Sequence, residues 1–359
     1  MKRLFISDCE GPISKNDNAF ELAEHFIPSG DRLFANISKY DDVLADIVQK
    51  PGYTAGTTLK LILPFFKAYG VTDRQMEEFS QQNIVLIKDT KTTLAHVQRL
   101  ADSYIVSTSY EHYIRSLCKA TDFPFQNTYC TRLSLDQAPI TVDEKETLRE
   151  MAQEIAHMRT IDISGINSIE NFCDCDQTLL QRLDEIFWSE IPKMTVGKLL
   201  TDVVTVGGEQ KAESIRDAAK KLGAKFENAM YVGDSITDVE AFQLVRNKGG
   251  LSVSFNGNSY AIKAAEVAVQ SESNLITATL ADIFCKHGKQ AAIKAIENWS
   301  IEALKKADVD PAILAELTTL YPDCLPKVQI VTSKNMGSLI KESSEFRKKV
   351  RGINIGRLG

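Results

Sequence analysis

Short apolar runs of strand length alternate along this chain with longer stretches of helical periodicity. Residues 3–7 read as a buried strand that stops at two acids, Asp8 and Glu10, and then at Gly11-Pro12. In an extended strand alternate side chains share a face, so the two acids point the same way. Gly11 and Pro12 turn the chain out of the sheet. From residue 18 to 88 the spacing becomes helical. Phe20, Leu22, Ala23 and Phe26 form one apolar face, and Val43, Leu44, Ile47 and Val48 a second. Residues 59–69 read as helix despite Pro64, and Thr72 with Gln75 predicts a capping box. A helix over 91–100, a strand over 103–107, a helix over 111–120 and a strand over 125–133 follow.

Residues 139–200 break this rhythm with charged helical stretches at 143–158 and 179–188. Alternation resumes at Val203-Val204-Thr205-Val206. It continues through a helix over 211–222, a strand over 229–233, a helix over 237–246, a strand over 251–255 and a short edge strand over 267–269. Beyond 285 the chain reads as helical and charged, and 347–359 as a basic, loosely ordered tail. Strands alternating with helices predict an α/β, doubly wound parallel sheet. The predicted partition is a core of 1–17, 89–138 and 201–285, a helical cap of 18–88, a helical insertion of 139–200 and a C-terminal helical extension of 286–359.

Composition narrows the picture only a little. An apolar fraction of 43% and a charged fraction of 25% are ordinary for a soluble globular protein. A net charge of −6 argues against a nucleic-acid binder, which carries a basic face. The longest apolar run, residues 59–66, is too short for a membrane span, and residues 4–6 are too short for a signal peptide. The seven cysteines lack zinc spacing, since Cys173 and Cys175 are only two apart, and read as free thiols. The expectation is a cytoplasmic protein without membrane or nucleic-acid partners.

Four features fall at strand ends or helix starts: Asp8 with Glu10, Ser107 with Thr108, Lys211, and Asp234 with Asp238. A doubly wound sheet gathers such ends along one edge. Two carboxylate clusters, a lysine and a hydroxyl suit phosphoryl transfer to an aspartate with Mg²⁺. Asp8 can attack phosphorus, and Mg²⁺, held by Asp8 and Asp234, removes the repulsion of a dianionic ester. Asp238, one turn on, can ligate the metal or hold a metal-bound water. Lys211 adds positive charge beside the phosphoryl oxygens. Ser107, read at the start of a helix, donates its hydroxyl, with Thr108 and Ser109 as alternative donors. Glu10 can protonate the leaving oxygen and then activate water.

These motifs resemble those of the haloacid dehalogenase-like superfamily of phosphohydrolases. Ile6-Ser7-Asp8-Cys9-Glu10-Gly11 is similar to its first motif, Ile105-Val106-Ser107 to its second, Lys211 to its third, and Val232-Gly233-Asp234-Ser235-Ile236-Thr237-Asp238 to its fourth. The run Lys211-Ala-Glu-Ser-Ile-Arg is most similar to the phosphoserine phosphatase branch, while Asp-x-Glu-Gly resembles the enolase-phosphatase branch. The resemblance implies a Rossmann-like core with a specificity-setting cap, and a metal ligand from the backbone carbonyl of Glu10. It implies hydrolysis of a small phosphorylated metabolite through an aspartyl phosphate. Two other readings stay open: a phosphotransferase or mutase of the same fold, and a binding module that kept the fold without the activity.

Overall fold

The structure, a computed structural model, describes residues 2–163 and 165–356. Its centre is a seven-stranded sheet in the order β3-β2-β1-β4-β5-β6-β7. The strands are β1 (Leu4–Ser7), β2 (Asp102–Tyr110), β3 (Thr128–Thr131), β4 (Ala229–Gly233), β5 (Leu251–Phe255), β6 (Val267–Gln270) and β7 (Lys327–Ile330). β1 to β6 are parallel, and every residue of β1, β4 and β5 is buried. That is why those strands read as unbroken apolar runs rather than alternating ones. Strand order reverses about β1: the chain goes outward to β2 and β3, then returns to β4 on the other side. A crevice opens at such a switch point, beyond the carboxyl ends of the strands.

Four expectations need correction. β6 is not an edge strand, because β7 pairs antiparallel with it and extends the sheet from within the supposedly all-helical C-terminal region. Val203-Val204-Thr205-Val206 forms no strand. It finds no neighbour to pair with, Val204 is 63% exposed, and the Val206 N–H bonds the Thr131 hydroxyl instead. β2 contains the predicted 103–107 but runs on to Tyr110, which pairs with Thr131 across a register shift, so Ser107 lies inside the strand rather than where it hands over to a helix. The basic tail is no tail: a helix over Met336–Arg351 buries Leu339, Ser343, Arg347, Val350 and Arg351. Arg357, at the far end, lies outside the described residues.

Local chemistry behaves as read elsewhere. Thr72 and Gln75 close a reciprocal capping box on the helix Asp73–Gln82. Pro64 sits in the first turn of Leu63–Ala68, where its missing N–H costs nothing. The seven cysteines are free thiols. The helices of 18–82 and those of 142–202 bury their apolar faces against each other in one cluster, from Leu22, Phe34 and Phe66 to Leu148, Ile155 and Phe187. The Asn36 amide crosses between them, donating to the carbonyls of Ile155 and Met158. Among the described residues no helix is long and apolar enough to cross a membrane.

Candidate active site

Asp8 follows directly on β1, and its backbone N–H bonds the Val232 carbonyl of β4. Its side chain is buried, with Oδ1 accepting from the Cys9 N–H at 2.6 Å and Oδ2 paired with Lys211 Nζ at 2.7 Å. Burial pushes the Asp8 carboxyl up to about 7 despite the lysine, with Asp238 and Asp234 adding to the rise. Gly11 has a φ of +101°, which favours glycine, and a side chain there would collide with the Asp234 carboxylate. The turn after β1 and the loop after β4 therefore touch through a residue that must be small.

Lys211 stands in the first turn of Glu209–Leu222 and is wholly buried. Its ammonium bridges Asp8 Oδ2 and Asp238 Oδ1, each at 2.7 Å, and the two carboxylates hold it protonated against the cost of burial. Asp238 also accepts the Tyr231 hydroxyl at 2.6 Å on Oδ1, and the N–H groups of Asp234 and Ser235 at 2.8 and 3.0 Å on Oδ2. Burial alone would raise its pKa, but the lysine and these donors bring it below the usual carboxylate range. Gly233 is needed for this arrangement, since a Cβ there would lie 2.5 Å from Asp238 Cγ. Ligand oxygens of Asp8, Asp234 and Asp238 lie within 4.8 Å of one another. An all-oxygen set of this kind fits a hard divalent cation such as Mg²⁺.

A cavity of about 100 Å³ opens above these acids. Of the residues singled out from sequence, Asp8, Glu10, Ser107, Thr108 and Asp234 line it, while Lys211 and Asp238 do not reach it and connect to it through Asp8. Ser107 Oγ bonds Ser109 Oγ at 3.1 Å and accepts the Ser109 N–H. Thr108 Oγ1 is buried without a partner, a hydroxyl with hydrogen-bonding capacity to spare. Glu10 turns toward the helix Asn18–Phe26, where Oε1 accepts the Asn18 N–H at 2.7 Å. Burial, with the nearby Asp17, raises its carboxyl well above the ordinary value. His112, close after Ser107 in sequence, lies 3.3 Å from Asp73 Oδ1 instead.

The roof is the loop over 54–58. Asp41 Oδ2 gathers it, accepting the N–H groups of Gly56 and Thr58 and the Thr58 hydroxyl. Gly56 presses on Thr108 and Thr237, where an added Cβ would meet methyl groups at 2.9 and 3.1 Å. Gly207 is too close to the Ala55 carbonyl for any side chain.

Two arginines belong to the site that the sequence reading leaves in the basic tail, Arg351 as a solvated tail residue and Arg347 with no role of its own. Arg347 and Arg351, on the C-terminal helix, both place NH1 on Asp234 Oδ2, Arg351 at 3.1 Å, and both line the cavity. Arg351 also donates to the carbonyls of Lys15 and Asn16, the former at 3.0 Å. A signal was there: Leu339, Ser343, Arg347 and Arg351 recur every four residues, one face of a helix.

Residues 67–282 match the family model described as haloacid dehalogenase-like hydrolase. That span holds Ser107, Lys211, Asp234 and Asp238, while Asp8 and the C-terminal arginines lie outside it. Among solved structures, a gene product of Archaeoglobus fulgidus is similar over 100% of this chain and 99% of its own, with a TM-score of 0.81 and 27% identity. A phosphoserine phosphatase in apo form is more distant, at a TM-score of 0.42 and 12% identity over 76% of this chain and 96% of its own. No curated protein matches.

Proposed function

The chain belongs to the haloacid dehalogenase-like hydrolases, and from that membership we propose that it is a Mg²⁺-dependent phosphatase acting on a small phosphate monoester through an aspartyl phosphate on Asp8. The observation that carries this reading is the ammonium of Lys211 between Asp8 and Asp238, next to a cavity lined by Asp8, Glu10, Ser107, Thr108 and Asp234. It fixes one oxygen of Asp8 and supplies a permanent positive charge behind it.

Asp8 and Asp234, with the carbonyl of Glu10, would hold the divalent cation. When bound, the cation supplies charge neutralisation for a dianionic ester approaching a carboxylate. Asp238, with four donors on its two oxygens, is better suited to orienting Lys211 and the loop of Asp234 than to ligation. In the first step an oxygen of Asp8 attacks phosphorus, and Glu10 gives its proton to the departing oxygen. In the second, Glu10 takes a proton from water, which attacks the aspartyl phosphate and frees phosphate. Ser107 and the unpartnered hydroxyl of Thr108 hold phosphoryl oxygens. The loop over 54–58 excludes bulk water, and the predicted cap and helical insertion act together as the lid. A cavity of about 100 Å³ favours a small substrate over a macromolecule.

A panel of phosphate esters assayed for phosphate release with Mg²⁺ tests the proposal. Release that needs Mg²⁺ and disappears in Asp8→Asn supports it. Phosphoryl transfer that occurs only with an added acceptor would replace it with a phosphotransferase.

A further inference from the structure

The C-terminal helix does something the hydrolase motifs do not require. It delivers two guanidinium groups, buried to within a few per cent, to one oxygen of one carboxylate. That carboxylate, Asp234, is the member of the acid cluster that Lys211 does not touch. Two arginines carry the same formal charge as one divalent cation. We propose that the helix Met336–Arg351 is a displaceable counter-charge, an autoinhibitory latch whose arginines compete with a divalent cation for Asp234. The proposal rests on the reading of Asp234 as a cation ligand.

Three observations support competition rather than simple bracing. Both arginines converge on the same oxygen, so a cation at that carboxylate would face two like charges in contact with its ligand. Arg347 is incompletely satisfied, since its Nε is buried without a partner, a costly arrangement for a charged group. Three of the five buried residues of the helix are also polar: Ser343, which bonds the Gly257 carbonyl at 2.6 Å, and the two arginines stand beside Leu339 and Val350, with Met336, Ile340 and Phe346 half-buried against the core.

The latch spans both loops of the site. Arg351 holds the carbonyls of Lys15 and Asn16 beyond the Asp8 turn, while Arg347 and Ser343 hold the Asp234 loop and the turn at Gly257. Release would therefore free the two sides of the cation site together. Linkage makes the coupling reciprocal: the factor by which docking weakens cation binding is the factor by which the cation weakens docking.

The test uses the full chain and two readouts. Mg²⁺ affinity is measured by calorimetry on the wild type and on Arg347→Gln/Arg351→Gln. Competition predicts affinity about tenfold or more tighter in the variant, because the competent state no longer has to be won from the helix. Unchanged or weaker affinity would overturn the latch and make the arginines braces for the ligand. Amide exchange of the wild type with and without Mg²⁺ needs no variant to fold. Residues 336–351 should exchange several-fold faster with Mg²⁺ while β1 and β4 do not. Equal or slower exchange in the presence of bound Mg²⁺ would also overturn it. If neither protein binds Mg²⁺, the ligand reading fails first and takes the latch with it.

Discussion

Asp234 and Asp238 stand four residues apart on one loop, and their surroundings could hardly differ more. Asp238 is wired by its neighbourhood: a tyrosine of β4, two N–H groups of its own turn, and a lysine at the start of the preceding helix. Asp234 is compensated by side chains more than a hundred residues downstream, on a helix packed from outside. Both carboxylates are buried. One charge is balanced by groups next to it in the sheet and its helices, and the other by a helix that follows the last strand of the sheet.

The largest effect expected at this site concerns neither of these acids but the third member of the cluster. Asp8→Asn should lower phosphate release by at least about 10³-fold while circular dichroism stays native, because an amide is no nucleophile toward phosphorus. Retained turnover would remove the premise of the comparison. Next comes the contrast itself. Lys211→Met leaves two buried carboxylates unpaired and should cost about 3–5 kcal/mol in a urea titration, with or without Mg²⁺. Arg347→Gln should cost less, about 1–3 kcal/mol, and Mg²⁺ should recover the loss. Equal costs, or a loss that Mg²⁺ leaves untouched, would erase the distinction between a fixed and a removable partner.

A third prediction concerns the roof. Burial raises the Asp41 carboxyl to about 6, although the Thr58 hydroxyl and N–H oppose the rise. A carboxyl that is a weaker acid when folded stabilises the protein fully below its unfolded value. That contribution is lost as pH rises through the folded one. Between about pH 4 and pH 6 the wild type should therefore lose about 3 kcal/mol that Asp41→Asn does not. Parallel stability–pH curves for the two proteins would refute it. The smallest effect belongs to Tyr231→Phe, which removes one of four donors to Asp238 and should cost about 1–2 kcal/mol by thermal melting.

How far the sequence discloses this site depends on where each residue finds its partner. Asp8, Lys211 and Asp234 could be located because each ends or begins an element whose pattern is local: a buried strand read as an apolar run, a helix with regular spacing. β7 could not. It is four residues long, Lys-Val-Gln-Ile, with only Val328 buried, and becomes a strand by pairing with β6. The opposite error occurred at 203–206, where a β-branched run has strand propensity and no partner. Ser107 was placed at the end of its strand rather than inside it because β2 is prolonged by a contact with Thr131. Arg347 and Arg351 were hidden by their own chemistry. A helix face that sets serine and arginines among Leu339 and Val350 blurs the apolar stripe, and the meaning of those arginines depends on a carboxylate that only folding brings near.

The shared apolar cluster of the two inserted segments has a consequence for how the chain comes together. Asn36 waits for carbonyls at residues 155 and 158, and Phe34 and Phe66 wait for Leu148 and Phe187. The first segment thus emerges early with its apolar face bare, and is covered only after about a hundred more residues have been made. Contacts so distant in sequence slow folding and lengthen exposure to aggregation. Once formed, the same cluster makes the two inserted segments one body joined to the sheet by four crossings of the chain instead of two.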